Sequence, residues 1–148
     1  MGRVITKCLL TALLLCVCHV AAFASDSAPC LRLTEADAGQ AFGTPVKRNT
    51  TDACRFEAVA DPSDYFTLEI QPGQAENSEK LMAPLNKIFG NPDPVSGVGD
   101  HAFSFESVLI VLYKKDYFTV SVFSSRLTRQ HADLAAAKAI ARQVIAVL

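Results

Sequence analysis

Cys30 and Cys54 constrain this chain more than any other pair of residues in it. The sequence holds five cysteines, but Cys8, Cys16 and Cys18 fall in the opening stretch MGRVITKCLLTALLLCVCHVAAFA. That stretch has the three parts of an export signal. Arg3 and Lys7 give a positive start, Cys8 to Ala22 is apolar, and Ala22-Phe23-Ala24 puts small residues where a signal peptidase reads. The apolar run of about 15 residues, interrupted by His19, falls short of the roughly 20 that cross a membrane. A cleaved signal over residues 1–24 is therefore expected, with the membrane a partner only if this helix is retained. Lipid attachment is disfavoured, because Leu15 and Val17 precede Cys16 and Cys18 where a lipoprotein signal wants a small residue.

Downstream of the signal only Cys30 and Cys54 remain, and an even count in an exported chain reads as a disulfide. Closing a loop of about 25 residues is worth roughly 3–4 kcal/mol on the chain-entropy view. A metal site would need more ligands than His101 and His131 supply, since there is no His-x-x-x-His or Cys-x-x-Cys spacing. Of the 14 Lys and Arg, Arg3 and Lys7 leave with the signal, so 12 face 15 Asp and Glu in the remaining chain. The basic pairs Lys47-Arg48 and Lys114-Lys115 are short and far apart. Phosphate backbones require clustered cations, so a nucleic-acid partner is disfavoured.

The body, residues 25–148, reads as one α+β domain. In LTEADAGQAFGTP a short helix is marked at both ends, with Thr34 as N-cap, Glu35 and Asp37 in the first turn, Gly43 at C′ and Pro45 beyond. The bridge would pin this helix to the strand that carries Cys54. Cys54, Phe56 and Ala58 alternate with Arg55 and Glu57. Phe66, Leu68 and Ile70 alternate with Tyr65, Thr67 and Glu69, and Asp61–Asp64 has turn chemistry between the two strands. Leu81, Leu85 and Ile88, flanked by Met82 and Phe89, have helical spacing, with Pro84 kinking the helix or starting its second half. His101–Phe105, the doubly apolar SVLIVLY and YFTVSVF read as three further strands. A closing helix carries the stripe Leu134, Ala137, Ala141, Val144 and Leu148, with Arg129–Asp133 as an outward charge pair. The expected order is α-β-β-α-β-β-β-α, a mainly antiparallel five-stranded sheet with its helices on one face.

Gly97-Val98-Gly99-Asp100-His101-Ala102 has the letters of a dinucleotide-binding loop. It leads from a proline-rich loop into a strand, and the pyrophosphate of such a cofactor needs a helix N-terminus there. The glycines instead permit a tight turn with positive φ, and Asp100 is placed to bond backbone amides. No cofactor is implied. Ser96, Ser104, Ser124 and Ser125 lack a nucleophile elbow, and Asp100 and His101, adjacent on a strand, point to opposite faces. No catalytic residue is assigned; His101 is the one worth testing. Glu57 and Glu69, cross-strand neighbours on the hairpin's outer face, read as solvated charge.

A Cys beside a Leu-Thr helix ending in Gly, a Cys-x-Phe strand, Gly-Val-Gly-Asp-His-Ala and an Ala-rich final helix together resemble small exported bacterial proteins and lipoproteins of unknown function. The resemblance spans Cys30 to Leu148 and departs in lacking a lipid-attachment cysteine. It implies a cell-envelope location and brings no catalytic residues. In a bacterial envelope Asn49-Thr50-Thr51 has no meaning; in a eukaryotic secreted chain it would accept a glycan.

Two functional readings follow. The first is a binding module for another envelope or secreted protein, presenting Tyr65, Thr67, Tyr117, Thr119 and Phe123 on the sheet face away from the helices. Mixed aromatic and hydroxyl side chains suit such recognition. The second is a carrier of a small apolar ligand, held between the final helix and the Phe-rich strands. An open aromatic face favours the first and an apolar cavity the second.

Overall fold

The computed structural model describes residues 28–77, 80, 82–83, 86–87, 90–125 and 130–148. The export signal expected over residues 1–24 lies outside the described residues. So do Leu81, Pro84, Leu85, Ile88, Phe89 and Arg129.

Cys30 sits in a short helix of its own, α1 (Ala28–Arg32), which the sequence pattern is too brief to announce. It bonds to Cys54 with S–S 2.06 Å and Cα–Cα 5.1 Å. Helix α2 (Glu35–Phe42) begins and ends where its caps require. The Thr34 hydroxyl accepts from Asp37 N, and Gly43 closes it in the left-handed region at φ 85°, donating to Gly39 O. Its partners are β1 (Val46–Arg48), β2 (Arg55–Ala58) and β3 (Tyr65–Gln71). Asp61 ties the β2–β3 turn by accepting from Ser63 N and from the Ser63 hydroxyl.

The second meander is β4 (Asp93–Pro94), β5 (His101–Phe105), β6 (Val108–Tyr113) and β7 (Asp116–Phe123). Helix α3 (Gln130–Val147) follows it. The sheet order is β1-β2-β3-β7-β6-β5-β4 and every pairing is antiparallel. The two meanders are joined through β3 and β7, in register from Tyr65–Phe123 to Gln71–Tyr117.

The sheet thus has seven strands, not five. The two extra strands are its edges, three and two residues long. Neither is long enough to display an alternation, and Pro94 is tolerated because an edge strand need not donate on its outer side.

Helices α1, α2 and α3 cover one sheet face. Phe56, Phe66, Ile70, Leu109, Val111, Phe118, Val120 and Val122 meet Leu33, Ala38, Ile140, Ala141 and Val144 there, all buried. Phe66 packs between Phe56, stacked at 5.0 Å, and Phe42, tilted at 5.5 Å. Such aromatic contacts add about 0.5–1.5 kcal/mol each beyond the area they bury. Val98 inserts into the same core, and Arg142 of α3 donates to Gly97 O.

The expectation of helices on one face holds for α1–α3 and fails elsewhere. Residues 80, 82–83 and 86–87 are helical, and Met82 packs on the opposite face, against Phe105, Ile110 and Tyr117. The sequence hinted at this: Phe103, Phe105, Val108 and Ile110 are apolar on the side away from α3, so that half of the sheet needs a second cover. The expected Arg129–Asp133 pair lies outside what is described, but Asp133 itself is described. Its Oδ1 is buried without a hydrogen-bond partner among the described residues, and the lost hydration raises its pKa above the usual carboxylate value.

Candidate functional site

Strand alternation puts Arg55, Glu57, Tyr65, Thr67, Glu69, Thr119, Ser121 and Phe123 on the face away from α1–α3. Arg55 lies opposite Thr67, and Thr67 opposite Ser121. One level along, Glu57 lies opposite Tyr65 and Tyr65 opposite Phe123. Three of these side chains form a column. The Arg55 guanidinium sits 3.7 Å from the centre of the Tyr65 ring, and Tyr65 stacks on Phe123 at 4.7 Å with 21° between planes. Glu57 holds the guanidinium through Arg55 Nε at 2.7 Å and accepts from Asn49 Nδ2 at 2.9 Å. Phe123, at the end of the column, is 42 % exposed.

The face expected from the sequence is thereby divided in two. Tyr65, Thr67 and Phe123 belong to the open column and its flank. Tyr117 does not: it is 7 % exposed, packed with Met82, Phe105 and Ile110. Burial, reinforced by the negative charge of Glu69, raises its phenol pKa above the ordinary value. Thr119 lies on the boundary between the two halves. There a cavity of about 290 Å³ opens, floored by Val108 and Ile110 and walled by Phe105, Tyr117, Thr119 and Ser121. Glu69 and Glu106 stand at its edge.

A carrier's pocket was expected between the final helix and the strands; one crevice is described there. That crevice, among Ser107, Leu109, Leu134 and Ala137, is too narrow to admit a ligand. A second, shallow depression of about 560 Å³ runs along α2 from Glu35 to Val46. Its carboxylate has a structural task, since Glu35 accepts from Arg48 N and so blunts the free edge of β1.

The other residues singled out in the sequence serve the fold. Gly97 and Gly99 have φ of 80° and 60°. Asp100 accepts from Lys114 N at 2.7 Å, closing the β6–β7 turn. The His101 side chain is exposed and makes no hydrogen bond or ion pair among the described residues. It lines neither the 290 Å³ cavity nor the α2 depression. Asp64 Oδ1 accepts from Ser125 N and from the Ser125 hydroxyl, a pairing that anchors the chain leaving β7. Glu57 and Glu69 are not cross-strand neighbours, because Glu57 faces Tyr65 and Glu69 faces Thr119. Among the described residues no group of three or more His, Cys, Asp or Glu could hold a metal ion.

Comparison with protein-family models, curated proteins and solved structures finds no match.

Arg55 was absent from the expected face, although its place on the outward side of β2 follows from the alternation. The signal that could have found it is register: with Glu57 opposite Tyr65, Arg55 is the diagonal outward neighbour of Tyr65 across one hairpin.

Proposed function

We propose that this chain is an exported, non-catalytic binding module of the cell envelope or extracellular medium. It docks another protein on the open half of its sheet, around Arg55, Tyr65 and Phe123. The observation that carries this reading is the ordered cation–aromatic column with an exposed phenyl ring at its end. Arg, Tyr and Phe are enriched at protein interfaces, where a few such anchors supply most of the affinity. Because Glu57 and the stack already fix their rotamers, little side-chain entropy remains to be lost on docking. Glu57 also offsets the arginine charge, which suits a partner that brings an apolar or aromatic side chain rather than an acidic cluster. Export is supported by the signal-like leader and by the disulfide, since disulfides persist in oxidising compartments.

The test is affinity capture from the native envelope and medium, with the protein and its Tyr65→Ser, Phe123→Ser double variant. Circular dichroism verifies that both fold. The expected outcome is a protein captured at least about tenfold less by the variant, the scale of losing a hot spot. Equal capture by both, or capture of nothing specific by either, would overturn the reading.

A further inference from the structure

The cavity beside the column is chemically distinct from it, and we infer that it binds a small organic cation with an apolar body. Its floor and far wall are hydrocarbon and aromatic: Val108, Ile110, Phe105 and the ring of Tyr117. Its charged lining is of one sign, Glu69 and Glu106, with no Lys or Arg among the lining residues described. Among the described residues neither carboxylate is paired with a cation. Glu69 accepts a hydrogen bond from the neutral Gln71 amide, and Glu106 makes no ion pair among the described residues. An apolar anion would meet two like charges, and a neutral apolar ligand would leave both carboxylates unanswered. An ammonium or amidinium group answers both, and the Tyr117 and Phe105 rings can add cation–π attraction.

Size narrows the class. Water occupies about 30 Å³ per molecule in the liquid, so the cavity holds roughly ten non-hydrogen atoms. That matches an arylalkyl or branched alkyl amine, and it lies near the lower limit of small-molecule sites. The apolar body would rest on Val108 and Ile110, with the cation toward Glu69 and Glu106. Thr119 and Ser121 offer hydroxyl oxygens to the remaining N–H groups. This site stands independently of the docking surface, because none of its lining residues is Arg55, Tyr65 or Phe123.

The experiment is ligand-observed NMR titration of the purified protein with phenethylammonium, its neutral analogue 2-phenylethanol and the anion 3-phenylpropionate. The ammonium compound is expected to bind, the alcohol about tenfold more weakly, and the anion not at all. Glu69→Gln should weaken ammonium binding by about fivefold, on the scale of one partly exposed charge pair. Glu106→Gly should do the same while folding at least as well, because residue 106 has φ 48°, a conformation glycine adopts freely. Val108→Phe, which fills the cavity, should abolish binding, and Tyr65→Ser should leave it unchanged. Equal binding of the alcohol, binding of the anion, indifference to Glu69→Gln, or no binding of the ammonium compound up to about 10 mM would overturn the proposal.

Discussion

Arg48 Nη2 donates to the carbonyl oxygen of Leu33 at 2.6 Å, joining the edge strand to the chain just past α1. Its Nη1 serves Ala53 O at 2.8 Å and also Cys30 O, and the guanidinium lies 4.7 Å from the Phe56 ring centre. A cation so placed satisfies carbonyls that a helix end leaves without partners. Arg32 does the same for α3, donating to Val147 O at 2.9 Å.

Replacing Arg48 should therefore hurt more than a surface charge would. Arg48→Met is expected to cost about 2–3 kcal/mol in urea unfolding, because several carbonyls lose a charged donor at once. Arg48→Lys should recover only part of this, since an ammonium cannot reproduce the planar fork. A loss under about 0.5 kcal/mol for the methionine variant would show that water replaces the guanidinium without penalty.

The disulfide lies within the same contact, Cys30 in α1 and Cys54 immediately before β2. With a sequence separation of 24, its removal should lower unfolding free energy by about 3.5 kcal/mol. Unfolding midpoints of the oxidised protein and of the Cys30→Ala, Cys54→Ala double variant measure this. Combining the double variant with Arg48→Met should give a non-additive loss, because both act on one junction.

Gly99 and Gly97 are both at positive φ, but only one is crowded. A Cβ at Gly99 would come within 2.6 Å of Leu112 O and 2.7 Å of Val111 Cγ1, whereas at Gly97 the nearest contact is Arg142 Nη2 at 3.7 Å. Gly97→Ala should cost about 1–2 kcal/mol from the left-handed backbone alone. Gly99→Ala should cost clearly more, because backbone has to shift as well. Thermal unfolding of the two variants, side by side, checks the ranking.

Tyr117 should ionise above the ordinary tyrosine value of about 10. Its folded pKa is raised, first by burial and then by Glu69, so the folded state keeps this proton after the unfolded chain has released it. Stability should then fall as pH climbs past about 10, the unfolded value, and level off above the folded value. Ultraviolet titration should lose this raised step in Tyr117→Phe. In Glu69→Gln that step should move down yet stay above 10, since burial is the larger cause.

Much of this architecture was legible because it repeats a period or uses a distinctive residue. Thr34 and Gly43 marked both ends of α2, Asp61–Asp64 marked a turn, and Phe66, Leu68 and Ile70 marked a buried face. What escaped was set by tertiary context. β1 and β4 take strand form only because β2 and β5 are beside them. Tyr117 and Tyr65 share a sheet face, and nothing in their spacing says that Met82 covers one and leaves the other near solvent. Arg48 looked like half of a basic pair, although its place two residues after Val46 puts it on the core side.

The open column around Tyr65 and Phe123 is best tested by site-specific photocrosslinking in the native compartment. A photoreactive phenylalanine analogue would replace Phe123 in one sample and Ala135, exposed on α3, in another. A discrete crosslinked species of higher mass from position 123, absent from position 135, is the expected result. Equal crosslinking at both positions, or none at 123 with the protein folded and exported, would contradict a docking role for this face.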